Sequence, residues 1–175
     1  MRHTLSILVE NRFGELARIV GLFSARGYNI ESLTVAETLE PEISRVTLVT
    51  TGDDRTIDQI VKQLNKQIRV LSVTDLSAQD HVEREMVLVH VNAAGETRQS
   101  VLNLVEIFRA KVIGVSQTTL TIEATGERSK VDALLRLLCA FGIQEMVRAG
   151  TVAIARPPVE VNHQTPVREL VDAKG

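Results

Sequence analysis

The chain has 175 residues, 44% of them apolar and 24% charged, with a formal net charge of −2; that balance suits one globular domain or two small ones. It carries no basic surplus, no tryptophan and only 3% aromatic residues, which argues against a nucleic-acid binder built on cationic patches and stacking platforms. A single cysteine, Cys139, excludes an internal disulfide and fits a reducing cytoplasm, and neither a signal peptide nor an apolar run near the ~20 residues of a membrane span is read.

The elements follow in chain order from hydrophobic periodicity. Residues 4–9 alternate, with Leu5, Ile7 and Val9 on one face, and predict a half-buried strand. A helix over 15–26 follows, with Leu16, Ile19, Val20 and Phe23 at i, i+3, i+4, i+7 spacing and Gly27 as its stop. Strands are predicted over 30–37 and 44–51 around the turn Glu40-Pro41-Glu42, the second rich in β-branched residues. Gly52-Asp53-Asp54 breaks it and offers an N-cap to a helix carrying Ile57, Ile60, Val61 and Leu64. A strand over 68–76 closes a βαββαβ unit. That order predicts a ferredoxin-like α+β fold, with two helices on one side of a four-stranded antiparallel sheet.

A polar stretch reads as a linker over 78–84, and the pattern then begins again. A strand is predicted over 86–91, a helix over 97–109 with Val101, Leu104, Val105 and Phe108 inward, and strands over 111–115 and 120–123. Gly126-Glu127-Arg128-Ser129 leads into a helix with Val131, Leu134, Leu135 and Leu138 inward, where Cys139 reads as a buried small hydrophobe. The last strand falls either near 143–148 or near 151–155. The expected organisation is two tandem ferredoxin-like domains, over 1–77 and 85–155, and a proline-bearing tail over 156–175.

One stretch carries binding chemistry. Gly14 stands at the mouth of the first helix, where backbone N–H groups are unobstructed and anions are favoured. Asn11 precedes that turn and Asn29 opens the next strand. The two ends of a β-α-β unit are expected to lie near each other, giving a small polar pocket suited to a carboxylate with an adjacent ammonium group. The same residues also read as plain turn chemistry, with Asn11 as a cap and Asn29 tolerating a turn after Gly27. In the second half, Asn92-Ala93-Ala94-Gly95 echoes Asn11-Arg12-Phe13-Gly14 and Phe108 echoes Phe23, but the intervals differ (108 − 95 = 13 against 23 − 14 = 9). Counting on from Phe108 puts Gly114 where the first copy has Asn29, so the second half lacks one polar arm and reads as a scaffold or partner-binding domain.

The run Arg26-Gly27-Tyr28-Asn29-Ile30-Glu31-Ser32-Leu33-Thr34-Val35, behind Glu10-Asn11-x-x-Gly14-x-Leu16 and ahead of His81-Val82-Glu83-Arg84-Glu85, resembles the regulatory small subunit of acetolactate synthase (acetohydroxyacid synthase). The resemblance extends over residues 1–155. It implies that the first domain is an ACT domain and that a pocket between two such domains takes a feedback inhibitor, valine or a related branched-chain amino acid. Asn11, Gly14 and Asn29 stand at the matching positions, and Glu15, Leu16 and Ile30 beside them complete the implied effector-binding set. It also implies a homodimer through the ACT domain and a catalytic large subunit as partner, activated and made feedback-sensitive by this chain in valine, leucine and isoleucine biosynthesis. Thiamine diphosphate, Mg²⁺ and FAD are expected on that large subunit and no cofactor on this chain.

No catalytic motif is read: there is no dinucleotide fingerprint, phosphate loop or nucleophile elbow. His3, His81, His90 and His163 lack metal-ligand spacing, and Asp53-Asp54 and Glu83/Glu85 read as charged surface. A non-catalytic, cytoplasmic regulator is expected. The alternative is a stand-alone amino-acid-sensing ACT protein that controls another enzyme or a transcription factor; a small enzyme on a ferredoxin-like scaffold is the third reading.

Overall fold

The computed structural model describes residues 1–157, so the expected tail over 156–175 lies outside them except for Arg156 and Pro157. The first half runs β1 (Arg2–Glu10), α1 (Glu15–Ala25), β2 (Ile30–Glu37), β3 (Ile43–Thr51), α2 (Asp54–Leu64) and β4 (Val70–Asp75). The second runs β5 (His81–Asn92), α3 (Thr97–Ile107), β6 (Lys111–Val115), β7 (Thr119–Gly126), α4 (Arg128–Leu138) and β8 (Ile143–Arg148), and β9 (Val152–Ala155) follows. Two antiparallel sheets result, ordered β2-β3-β1-β4 and β6-β7-β5-β8. Both halves are the expected ferredoxin-like α+β units.

Alternation along the strands gives each sheet one apolar face, buried under its own helix pair. In the first half Leu5, Ile7, Val9, Val46 and Leu48 meet Ile19, Leu22, Phe23, Ile57, Ile60 and Leu64. In the second, Val87, Val89, Val91, Leu120 and Ile122 meet Val101, Val105, Val131, Leu134 and Leu138. α2 starts where the Asp53 carboxylate accepts the Thr56 N–H at 2.7 Å, satisfying one of the orphan donors of the first turn.

The structure corrects several expectations. Leu16 is 40% exposed, and Leu22 takes its place in the core. The cause is Glu15, which holds the inward position of the first turn against Arg69 at 3.1 Å, so the buried set of α1 becomes Glu15, Ile19, Leu22 and Phe23. The linker expected over 78–84 is largely regular structure: Leu76–Ala78 form a 3-10 turn, and β5 begins at His81 because β9 pairs with His81–Arg84. Both candidate last strands exist, β8 closing the second sheet and β9 pairing with the first part of β5. Cys139 is exposed rather than buried, since α4 ends at Leu138 and Cys139 opens a 3-10 turn.

The face of the first sheet away from its helices is also covered over much of its length. Strand register arranges that face in rows: Thr4–Val49–Ser32, Ser6–Thr47–Thr34 and Leu8–Arg45–Ala36. Thr4, Ser6, Thr47 and Val49 are buried, with β9 and the Leu76–Ala78 turn packed against β1. The Thr151 N–H donates to Ser32 Oγ at 2.8 Å, and the Thr4 N–H donates to Ser77 Oγ at 2.8 Å. Gly150 presses on β2 so closely that a Cβ there would lie 2.3 Å from Thr34 Oγ1 and 3.0 Å from the Leu33 carbonyl oxygen. Gly150→Ala therefore overpacks this seam, and a loss of about 1–3 kcal/mol is expected. Thermal unfolding with hydrogen exchange checks it: β9 amides should exchange faster while the core between α1, α2 and the first sheet stays protected.

Candidate functional site

Gly14 has φ +86°, a left-handed conformation that glycine adopts without a Cβ penalty, and it caps α1 with no side-chain hydrogen bond. The first-turn N–H groups of α1 are thus presented at the positive end of the helix dipole. Asn11 fixes the loop in front of them. Its Nδ2 donates to Glu37 Oε1 at 3.1 Å and to the Pro41 carbonyl at 2.9 Å, and its N–H donates to the Glu42 carbonyl at 2.6 Å. The Glu15 carboxylate is buried between Arg69 at 3.1 Å and Arg18 at 3.3 Å, so it holds the start of α1 instead of facing a ligand. Leu16 and the fully exposed Phe13 stand at the same mouth.

Asn29 and Ile30 lie elsewhere. The Asn29 carbonyl accepts from Thr50 Oγ1 at 2.6 Å and Ile30 pairs with Thr50, whereas Glu10 pairs with Ile43. The seven residues of β3 between those pairings (50 − 43), at about 3.3 Å each, separate the two ends by roughly 23 Å. The expectation that one β-α-β unit brings these ends together is overturned: β1 and β2 run in the same direction, and α1 carries the chain back the length of the sheet. A single chain clusters Asn11, Gly14, Glu15 and Leu16 at one end, with Asn29 and Ile30 at the other.

Asn29 borders a polar cleft of about 540 Å³ at the seam between the halves, together with Glu31, Ser32, Glu85, Arg128 and Arg148. Thr51 Oγ1 donates to Glu31 Oε1 and Arg128 donates to Glu31 Oε2 at 3.0 Å; the Thr51 bond first, then Arg128, hold the Glu31 carboxyl below its usual 4.5. Arg2 reaches Glu83 at 3.1 Å and Glu31 at 3.8 Å. The buried Glu85 carboxylate accepts from Arg148 Nε at 2.7 Å and from Thr151 Oγ1 at 2.8 Å. Burial pulls the Arg148 guanidinium down, but hydrogen bonds to Asp132 and Glu85 outweigh it and hold the group above its ordinary value. Sequence reasoning passed over Arg2, Glu31, Arg128 and Arg148 because each alone resembles solvated surface charge.

The second half repeats the geometry without the chemistry. Gly95 is also left-handed at φ +55°, and β6 begins at Lys111, 16 positions on, as β2 begins at Ile30, 16 positions after Gly14 (111 − 95 and 30 − 14). The counterpart of Asn29 is therefore Ala110 and not Gly114, which lies inside β6 where a Cβ would meet Thr121 Oγ1 at 2.7 Å. The phenylalanine echo misled because Phe23 lies within α1, whereas Phe108 is the C-cap of α3. Among the described residues no group of three His, Cys, Asp or Glu is arranged to hold a metal, and no helix is long and apolar enough to cross a membrane.

Comparison with known proteins covers both halves. The profile of the AHAS small subunit-like ACT domain matches residues 5–72, and that of the small subunit of acetolactate synthase matches residues 84–157. The chain is 47% identical over 156 residues to the acetolactate synthase small subunit of Mycobacterium leprae, covering 89% of this chain and 92% of that one. It is 48% identical over 156 residues to the small subunit of Aquifex aeolicus, covering 89% and 81%. The crystal structure of the acetolactate synthase small subunit from Thermotoga maritima superposes with a TM-score of 0.83 at 43% identity, covering 91% of this chain and 99% of that one.

The lowered Glu31 carboxyl makes a pH test of the seam. Its folded value lies below 4.5, so stability carried by its partners is whole above 4.5 and is lost as pH falls through that lowered value. The melting temperature of the native chain should drop more steeply on acidification than that of Glu31→Gln, which lacks the ionised pair at every pH. Parallel slopes would contradict the assignment.

Proposed function

The chain belongs to the acetolactate synthase small subunit family and carries its ACT domain, and from that membership we propose that it is the non-catalytic subunit that binds valine or a related branched-chain amino acid and confers feedback inhibition on the catalytic large subunit it activates. Thiamine diphosphate, Mg²⁺ and FAD belong to the large subunit in this reading, and the assembly is cytoplasmic.

The observation that carries the reading is the free edge of β2. β2 ends the sheet order, so among the described residues one row of its N–H and C=O groups lacks a strand partner. Antiparallel pairing of two β2 edges across a two-fold axis joins the sheets into one of eight strands. It sets the Asn29 end of one copy against the Glu37 end of the other, and Asn11 is the residue that donates to Glu37. The separation found within one chain then becomes the requirement of a site built from two. Each of two equivalent sites receives Asn11 and the Gly14 helix mouth from one copy and Asn29 and Ile30 from the other.

The chemistry fits an amino acid. The effector carboxylate meets the uncapped N–H groups of α1, and its ammonium meets the amide oxygens of Asn11 and Asn29. Its branched side chain meets Leu16, which stands outside the core, and Ile30. Glu15 is a positioning residue in this arrangement, holding the helix mouth through Arg69. The second half docks on the strand that follows Asn29, through Thr151 on Ser32 and Arg128 on Glu31, so effector binding at the edge of β2 has a direct mechanical path to it.

Asn29→Leu keeps the size of the side chain and removes its hydrogen bonds. A bond to a charged group contributes about 1.5–3 kcal/mol, so valine affinity should fall roughly 10- to 150-fold, read by calorimetry. Activation of the reconstituted large subunit should survive while valine inhibition is lost, and unchanged inhibition would contradict the assignment. Light scattering of the purified chain should give a dimer at micromolar concentration; a monomer would remove the basis of the site.

A further inference from the structure

On the helix-free face of the first sheet, β9 stops short of the last rows and leaves an open groove of about 670 Å³. Its floor follows from register. Leu8, Arg45 and Ala36 form one row, and Ser6, Thr47 and Thr34 form the next, with directly opposed side chains about 4.5–5.5 Å apart. Leu39 of the β2–β3 turn and Ile43 at the start of β3 wall one side, and Val152 and Ala153 of β9 wall the other.

Arg45 is out of place in such a groove. The other half-buried arginines are engaged: Arg2 with Glu83, Arg69 with Glu15, Arg148 with Glu85 and Asp132, and Arg98 with three backbone carbonyls. Arg45 donates once, to Ser6 Oγ at 3.0 Å, and forms no ion pair among the described residues. Glu37 and Glu40 line the same groove, but Asn11 engages Glu37 and neither carboxylate reaches Arg45. A partly desolvated guanidinium without a counterion is costly, and its planar fork matches a carboxylate.

We propose that this groove is a second binding site, taking a small aliphatic carboxylate whose acid group lies on the Arg45 guanidinium and whose alkyl chain lies on Leu8, Ala36 and Val152. The hydroxyl of Thr47 stands one row away and supplies a bond to an oxygen or nitrogen substituent next to the carboxylate. None of Asn11, Gly14 or Asn29 lines the groove, so the site is distinct from the effector site proposed above, which it meets only through the Asn11 bond to Glu37.

The test titrates the full chain with isovalerate, with 2-oxoisovalerate, and with isovaleramide, which keeps the alkyl chain and loses the charge. Both acids should bind saturably and the amide at least tenfold more weakly. Arg45→Gln should weaken the acids at least tenfold. Ser6→Ala, which removes the one bond Arg45 makes while keeping the guanidinium, should retain binding, and so should Asn29→Leu. The proposal is overturned if neither acid binds the native chain, if the amide binds as well as the acids, or if a folded Arg45→Gln, checked by circular dichroism, binds them normally. It is equally overturned if Asn29→Leu abolishes acid binding, because the acid would then occupy the effector site.

Discussion

The second half of the chain lies on a polar face of the first sheet, and most of the molecule follows from how that burial is satisfied. Thr4, Ser6 and Thr47 are hydroxyl-bearing residues on an otherwise solvent-type face, yet they are buried. Buried polar groups cost free energy unless they are paired. The Thr4 hydroxyl donates to Glu83 at 3.4 Å and Ser6 Oγ accepts from Arg45 within the first half; across the seam Ser77 accepts the Thr4 N–H, Ser32 accepts the Thr151 N–H, and Arg2 ties β1 to Glu83. Glu85 buries its charge only because Arg148 and Thr151 meet it. Close approach completes the fit, since Gly150 leaves no room for a side chain against β2.

That seam decides what remains free on β2. One face of the strand packs on α1 and α2, the opposite face receives Gly150 and Thr151, and among the described residues the edge stays open. The open edge is where a second copy pairs in the proposed dimer, and its first residues carry Asn29 beside Glu31. Glu31 is shared between Thr51 of the first half and Arg128 of the second. In that proposal effector contact and dimer contact meet the observed contact with the second half within four consecutive residues, Asn29 to Ser32. Coupling between sites requires a differential effect of the ligand on two arrangements of the assembly, and this short stretch is the element both halves hold.

The architecture was legible because alternation in strands and i, i+3, i+4 spacing in helices report burial directly. Both βαββαβ units follow from Leu5-Ile7-Val9, Ile57-Ile60-Leu64 and their second-half equivalents. What escaped were contacts with no local signature. Glu15 looks like an ordinary first-turn acid, yet its ion pair with Arg69 turns α1 and expels Leu16 from the core. His81–Arg84 reads as a polar linker because its strand partner, β9, lies some 70 positions later in the chain (152 − 84 = 68). At the candidate site the geometry was not legible: β1 and β2 run the same way in the sheet, which keeps Asn11 and Asn29 apart in one chain, and composition carries no trace of that.

Mixed dimers test the proposed site shared between two copies most directly. Asn11→Ala and Asn29→Leu chains should each lose valine binding alone. When they are mixed and allowed to exchange, a heterodimer places both altered residues in one site and leaves the other site with native Asn11 from one chain and native Asn29 from its partner. Calorimetry should then recover one native-affinity valine site per heterodimer. No recovery on mixing, with exchange demonstrated, would contradict the shared site.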